Sequence, residues 1–187
     1  HGLSVNIQND VPINSTTVVE TQMVYEDKLA NANGQDVPTG GSVTASWTTA
    51  QLSALVSSGA DAPVTISLNS KIDGVNTGLL SYQAGKDVPV LFHYVDANTV
   101  TGLAGTVEVF KITFNNGNGT YTFELEAPVE HVGTSVVKPV ADDPDTWYLP
   151  LSLSNVFNAT DTDGNTVAIN HGLSVNIQND VPINSTT

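Results

Sequence analysis

The chain contains no cysteine, so it can form no disulfide, no thiolate nucleophile and no cysteine-based zinc site. It also lacks arginine, and its five basic residues, all lysines, stand against 19 acidic residues. At a formal net charge of −14 it has no basic stripe that could displace counterions from a phosphate backbone. We therefore expect neither nucleic acid nor an anionic membrane surface as a partner.

Long hydrophobic runs are missing as well. No stretch approaches the roughly 18 consecutive apolar residues of a membrane-spanning helix. Residues 1–17 have neither the basic start nor the apolar segment of a secretion signal. We therefore expect no membrane insertion by this part of the chain.

Catalytic motifs are absent from the sequence. The chain has no nucleophile elbow, phosphate loop or zinc-binding helix motif. His93 lies in an alternating run that is typical of a packed or surface strand, and His131 stands where hydrogen bonding can orient a loop. The sequence therefore predicts that the chain is not an enzyme.

Aromatic residues make up only 6% of the chain. Sugar-binding sites favour exposed aromatic platforms, whereas Trp47 and Trp147 both lie in strand-like contexts that favour the core. A carbohydrate- or other ligand-binding β-sandwich module is therefore the alternative function and not the first choice.

A long exact repeat is what the sequence does contain. Its first seventeen residues, HGLSVNIQNDVPINSTT, recur letter for letter as residues 171–187, an offset of 171 − 1 = 170 residues. Recurrence at a fixed offset is typical of tandem arrays. We expect residues 1–17 to be the end of a preceding repeat and its linker, and residues 18–187 to be one β-sandwich repeat with its closing strand and the following linker. Adjacent copies in the same chain are the expected partners.

Short segments rich in Val, Ile, Thr, Tyr and Phe, separated by Gly, Pro, Asn and Asp, predict an all-β fold. Their number indicates an Ig-like or Greek-key β-sandwich. Alternating apolar residues predict the closing strand at Leu173, Val175 and Ile177, and its copy at Leu3, Val5 and Ile7. The other strands are expected near residues 18–25, 42–47, 64–69, 77–83, 89–95, 105–114, 120–126, 147–153 and 166–169.

Three local signals refine this prediction. Thr48 and Gln51 form a capping box, which predicts one short helix after Trp47 that ends near Gly59. Two alternating segments flank an Asn/Gly turn within residues 111–125, which predicts a β-hairpin. The apolar parity changes between residues 109 and 110, which predicts a β-bulge there.

One acidic turn has the spacing of a cation site. Asp161, Asp163 and Asn165 place oxygen-bearing side chains at alternate positions around a tight turn. The segment is not an EF-hand, because its glycine comes at the fourth position and Gly172 occupies the twelfth. Asp-Gly and Gly-Asn are also favoured hairpin-turn dipeptides, so a plain structural turn is an equally open interpretation.

A second acidic group belongs to the repeat junction. It comprises Asp10, its equivalent Asp180, and Glu26, for which ordinary solvated charge is the alternative interpretation. A dense field of carboxylates attracts divalent cations, and hard oxygen ligands select calcium or magnesium. We therefore expect Ca²⁺ as the bound ion, held first by the turn at residues 161–165 and second by the junction acids.

The end of the repeat carries an ordered series of short motifs. Residues 158–165 read NATDTDGN and lead through a strand into VNIQNDVP at residues 175–182. The series resembles the closing segment of the long extender repeats of giant RTX-type adhesins, which bacteria export by type I secretion. The similarity covers most of residues 25–182. Asn165 and Asn179 stand where that family usually has aspartate, which lowers the negative charge of the ligand set.

The resemblance implies a function as well as a fold. Such repeats are calcium-stabilised, non-enzymatic extenders on the extracellular side of the bacterial cell surface. Repeated many times, they project a distal ligand-binding region for adhesion or biofilm formation.

Overall fold

The computed structural model of the chain describes residues 9–32, 37–133, 135–141 and 143–180. These residues form fourteen strands: β1 (Ile13–Asn14), β2 (Gln22–Tyr25), β3 (Thr44–Thr48), β4 (Val56–Ser57), β5 (Thr65–Leu68), β6 (Asn76–Gln83), β7 (Lys86–Asp96), β8 (Thr99–Ala104), β9 (Val107–Asn115), β10 (Thr120–Leu125), β11 (Tyr148–Ser152), β12 (Phe157–Thr160), β13 (Thr166–Ala168) and β14 (Ser174–Gln178). They also form one α-helix, α1 (Thr49–Ser53), and 3₁₀ turns at Glu26–Lys28, Ser70–Ile72 and Pro144–Thr146. No helix in this part of the chain is long and apolar enough to cross a bilayer.

One layer of the fold is a six-stranded antiparallel sheet in the order β3-β10-β9-β8-β7-β6. Its last five strands follow one another as hairpins, because each connection carries glycine or asparagine. In the β9–β10 turn the Asn115 side chain accepts a hydrogen bond from the N–H of Gly117 at 2.9 Å, and Gly119 adopts a positive φ of 65°. The predicted hairpin is confirmed.

The predicted bulge is confirmed in the middle of this sheet. The pairing of β8 with β9 shifts from Gly102 opposite Phe110 to Leu103 opposite Glu108, which leaves Val109 as the extra residue. Val109 and Phe110 are consecutive and both fully buried for this reason. A Cβ atom on Gly102 would overlap the Phe110 ring, so the bulge also requires a glycine across from it.

The second layer consists of two three-stranded sheets, in the orders β11-β14-β2 and β13-β12-β5. The Tyr121 ring from β10 packs edge-to-face on Phe157 of β12, with ring centroids 4.9 Å apart. The Tyr121 hydroxyl donates to the carbonyl of Ile66 in β5 at 3.1 Å. These contacts join the layers across a buried apolar core, and the predicted all-β sandwich with one short helix is confirmed.

The closing strand lies inside the second layer. β14 pairs antiparallel with β11 on one side and parallel with β2 on the other. Leu173, Val175 and Ile177 are buried, as their alternation predicts. The equivalent strand at residues 3–7 lies outside the described residues.

Two local predictions are wrong in part. The capping box is present, with Gln51 N–H donating to Thr48 Oγ1 at 3.2 Å, but α1 ends at Ser53 and not near Gly59. The chain instead forms β4, because the main chain after the helix pairs with β1. Trp47 is buried as expected, whereas Trp147 is only half-buried.

Candidate functional site

A long antiparallel ribbon, β11 and β12 against β13 and β14, fixes where the two acidic groups lie. Its register runs from Tyr148 opposite Gln178 to Thr160 opposite Thr166, and further main-chain hydrogen bonds connect the two strand pairs. Twelve residue steps (178 − 166 = 12) at about 3.3 Å each span at most roughly 40 Å. We call the end that carries residues 161–165 the turn end, and the opposite end, where β14 leaves the sheet, the exit end.

At the turn end, the Asp161 carboxylate binds the main chain of its own turn. Its Oδ1 accepts from the N–H groups of Asp163 at 3.0 Å and Asn165 at 2.8 Å. Its Oδ2 accepts from the Asn165 side-chain amide at 3.1 Å, and Gly164 turns the chain with φ of 87°. Asp161 is buried, so this carboxylate organises the turn in the way that the structural interpretation of the motif requires.

Asp10 also lies at the turn end. Its Oδ2 accepts a hydrogen bond from the N–H of Ala60 at 2.7 Å. Gly59 makes room for it, since a Cβ atom there would collide with the Asp10 carboxylate. The main-chain carbonyl of Asp61, the residue after Ala60, accepts hydrogen bonds from the N–H and the hydroxyl of Thr162, both at 3.3 Å. The loop at residues 59–61 therefore connects Asp10 to the acidic turn.

The aspartates at this end interact electrostatically. Partial desolvation raises the pKa of the Asp61 carboxyl above its ordinary value, and the negative charges of three neighbours add to the effect. These neighbours are Asp163, Asp161 and Asp10. The turn end is thus a surface on which negative charges already repel one another.

At the exit end, a buried glutamate holds the place where the chain leaves the sandwich. Glu26 Oε1 accepts from the N–H of Val129 at 2.7 Å, and Oε2 accepts from the N–H of Asp180 at 3.3 Å. Asp27 beside it is buried too. Burial raises the pKa of Glu26 from 4.5 to about 8, because the two main-chain donors offset only part of the desolvation.

His131 packs next to this glutamate. Its Nε2 lies 2.9 Å from the carbonyl of Ile177, and its Nδ1 lies 3.2 Å from the carbonyl of Val129 and 3.9 Å from Glu26 Oε2. Burial lowers the pKa of His131. The predicted role of His131 in orienting a loop is confirmed, since its ring connects β14 to the loop after β10. A cavity of about 290 Å³ adjoins Glu26 and Asp180.

The buried Glu26 makes the stability of the folded chain depend on pH. Its pKa is higher in the folded state than its ordinary 4.5, so folding retains a proton and the free energy of unfolding falls as the pH rises towards 8. His131 has the opposite sign but acts below pH 6.5. Between pH 6.5 and 8, urea unfolding in chelator should therefore lose about 1–2 kcal/mol of stability.

The variant Glu26→Gln should flatten this slope, because glutamine cannot ionise. Glu20→Gln, which removes an exposed carboxylate, is the matched control and should keep it. A slope that is unchanged in Glu26→Gln would show that Glu26 is already ionised at neutral pH.

The structure regroups the candidate metal ligands. It brings Glu26 and Asp180 together at the exit end, as the second set requires. Asp10, assigned to the same set, lies instead with Asp161 and Asp163 at the turn end. Sequence reasoning missed Asp61, because nothing in the loop that carries it resembles a ligand motif.

One folded copy of the repeat, which we call a body, offers a limited fit for a metal ion. Within the described ranges, no three Asp, Glu or His side chains lie close enough together to hold an ion. Asp161 uses its carboxylate for the turn, and Asn165 presents its amide N–H to that carboxylate. One body therefore supplies acidic surfaces at both ends but no complete set of three acidic ligands among these residues.

The features that could support another function have partners within the chain. Lys138 Nζ lies 3.8 Å above the Trp147 ring, and the indole N–H donates to the carbonyl of Val140 at 3.0 Å. This covers part of the aromatic surface that a sugar would use. His93 is exposed on β7 and lies 3.0 Å from the carboxylate of Asp73, which agrees with its prediction as a strand histidine.

Comparison with known proteins gives one match. The model of a family described as Domain of unknown function (DUF5801) matches residues 15–174. The match begins directly after β1 and ends at the first residue of β14. No curated protein and no solved structure matches the chain.

Proposed function

The chain belongs to the DUF5801 domain family, and we propose that it is a non-enzymatic extender repeat of a large adhesin on the bacterial cell surface. In this function the repeat is a spacer. Its copies hold a distal ligand-binding region away from the cell, for adhesion or biofilm formation. The extracellular setting follows from the resemblance to the extender repeats of RTX-type adhesins.

The observation that carries this proposal is the presence of one repeat position at both ends of the body. Asp10 and Asp180 are equivalent in the recurring segment. Asp10 is bound at the turn end, and Asp180 is bound at the exit end. A body that the chain enters at one end and leaves at the other builds an elongated array when it is repeated. Solution scattering from chains of increasing copy number tests this.

Charge supports an extended arrangement. The chain has a formal net charge of −14, and Asp10 belongs to the preceding copy, so each copy carries −14 + 1 = −13. The copies therefore repel one another, which favours separation over collapse into a globule. Aspartates crowd both ends: Asp10, Asp61, Asp161 and Asp163 at the turn end, and Asp27 and Asp180 at the exit end, beside Glu26, whose raised pKa keeps it protonated at neutral pH. End-to-end stacking therefore needs something that offsets the repulsion between them.

We propose Ca²⁺ for this role. Calcium binds six to eight oxygen atoms and tolerates irregular geometry, so it suits carboxylates contributed by several loops. The candidates are Asp161, Asp163 and Asn165 with Asp10 at the turn end, and Glu26 with Asp180 at the exit end. Ion binding to the folded state alone would stabilise it by about 2.7 kcal/mol at a hundredfold excess over Kd.

The calcium proposal predicts a rise in melting temperature with millimolar calcium relative to chelator. The double variant Asp161→Asn/Asp163→Asn should lose most of this rise, because it removes ligand charge while it keeps oxygen acceptors for the turn. Scanning calorimetry with calcium, magnesium and chelator measures it. The double variant Asp87→Asn/Glu124→Gln removes the same charge from exposed strand positions and should respond as the parent does.

The outcomes separate the two parts of the proposal. No shift in the parent chain would refute calcium binding and leave the spacer function standing. If the rise in melting temperature survives in Asp161→Asn/Asp163→Asn, the calcium site would be assigned to the exit end instead.

A further inference from the structure

The recurring segment is held at two places in one body, and the two sets of contacts differ. At the exit end, the N–H of Asn179 donates to the carbonyl of Trp147 at 2.9 Å. The N–H of Asp180 donates to Glu26 Oε2 at 3.3 Å. At this end the segment is therefore attached through main-chain donors just after β14 and through the side-chain amides of Gln178 and Asn179.

At the turn end, the other copy of the segment is attached further along its length. The Asp10 carboxylate accepts from the N–H of Ala60, and the buried Pro12 leads into β1, which pairs with β4. The Asn14 side chain donates to the carbonyl of Ala168 at 3.0 Å and accepts from the N–H of Asn170 at 3.1 Å. These contacts bind the segment to the start of a body through the side chains of Asp10 and Asn14 and through a short strand.

The two sets meet in one residue, the aspartate at position 10 of one body and position 180 of the preceding one. Its main-chain N–H serves the exit end, and its carboxylate serves the turn end. Because these are different atoms of one residue, a single aspartate can make both bonds at once. We infer that this aspartate joins consecutive copies directly, as a shared joint with no free linker residue between the bodies. The inference rests on the proposed tandem arrangement.

The shared joint has three structural consequences. The exit end of one body, with Glu26, is brought against the turn end of the next, with Asp61 and Asp161. The angle between the bodies is restricted, because the contacts on either side start at adjacent or identical residues and Pro12 fixes its own φ near −65°. Gly59 is required at the interface, because any side chain there would displace the shared carboxylate.

The test uses a two-copy chain, residues 1–187 followed directly by a second copy of residues 18–187. Since the protein has no cysteine, one spin label can be attached to each body without background. Suitable exposed strand positions are Glu124→Cys in the first body and Ser67→Cys in the second. Electron–electron double resonance then gives the distribution of distances between the two bodies. We expect a narrow distribution in the parent two-copy chain in calcium-containing buffer.

Two variants reach the same bond from opposite sides. Asp180→Ala in the first body keeps the N–H for Glu26 but removes the carboxylate from the second body. Gly59→Ala in the second body keeps the aspartate in the sequence, but the added methyl group fills the space that its carboxylate occupies. Both should broaden the distribution severalfold. Their matched controls are Asp87→Ala, at an exposed strand position, and Gly74→Ala, which has a positive φ of 76° but open space around it. Both controls should keep the narrow peak.

Failure of the joint is distinguishable from failure of the extender function. A broad distribution in the parent, or a narrow one that survives both joint variants, would overturn the shared joint while the two-copy chain still scatters as an elongated particle. Compact scattering by the two-copy chain would overturn the extender function and the joint with it.

Discussion

Removal of residues 171–180 is expected to unfold the body. The deletion takes away β14, which is bonded on both edges, to β11 and to β2. It also removes Leu173, Val175 and Ile177 from the core. Burial of each such side chain contributes about 1.5–3 kcal/mol, so the loss approaches the whole stability of a typical domain, about 5–15 kcal/mol. Circular dichroism and amide-proton NMR should show an unfolded chain.

The repeat supplies its own control for this deletion. Residues 1–10 have the same sequence as residues 171–180. In the described part of this segment, Asp10 makes one side-chain bond to the body. Because residues 1–10 are expected to be the closing strand of the preceding repeat, deleting them should cost little stability, and loss of the Asp10 bond accounts for about 1 kcal/mol. Reversed costs would mean that the repeat begins at His1 and that the boundary at Val18 is displaced by one strand.

Asp161→Ala is expected to destabilise the chain by about 3 kcal/mol even in chelator, because it removes a buried carboxylate that accepts three hydrogen bonds, each of which contributes about 1 kcal/mol. The donors are the N–H groups of Asp163 and Asn165 and the Asn165 amide. A carboxylate that served only as a calcium ligand would have no such effect without the ion. Urea unfolding of parent and variant in chelator measures the difference.

Two further variants separate the turn from the charge. Asp161→Asn keeps an acceptor oxygen and should lose less stability than Asp161→Ala in chelator. Asp163→Ala removes an exposed side chain and should change stability little in the same buffer. If Asp161→Ala were as stable as the parent in chelator, the Asp161 side chain would have no structural role. That result would favour the interpretation of the motif as a calcium site over its interpretation as a structural turn.

Local signals in the sequence predicted the parts of the fold that depend on neighbouring residues. The capping box at Thr48, the hairpin at residues 111–125 and the bulge at Val109 all depend on contacts within a few residues or across one turn. Strand β8 escaped prediction because Val100, Thr101 and Gly102 are all buried, so the segment has no alternation to detect. The helix ended early because β1, distant in sequence, competes for the chain after it.

The candidate sites show the same division. The spacing of Asp161, Asp163 and Asn165 marks a turn, and the structure confirms the turn. The pairing of Glu26 with Asp180 depends on the parallel alignment of β2 with β14. Because the two strands run in the same direction, the residues that follow them both lie at the exit end. The place of Asp10 could not be read from the sequence, because an identical segment is bound differently at each end of the body.

Small-angle X-ray scattering on chains with one, two and four copies tests the extender function most directly. Entry at the turn end and departure at the exit end predict that each added copy lengthens the particle by roughly the span of the ribbon, which is at most about 40 Å. The maximum dimension should then rise in proportion to copy number. The account would be contradicted if the maximum dimension of the four-copy chain were that of a compact cluster of four sandwiches.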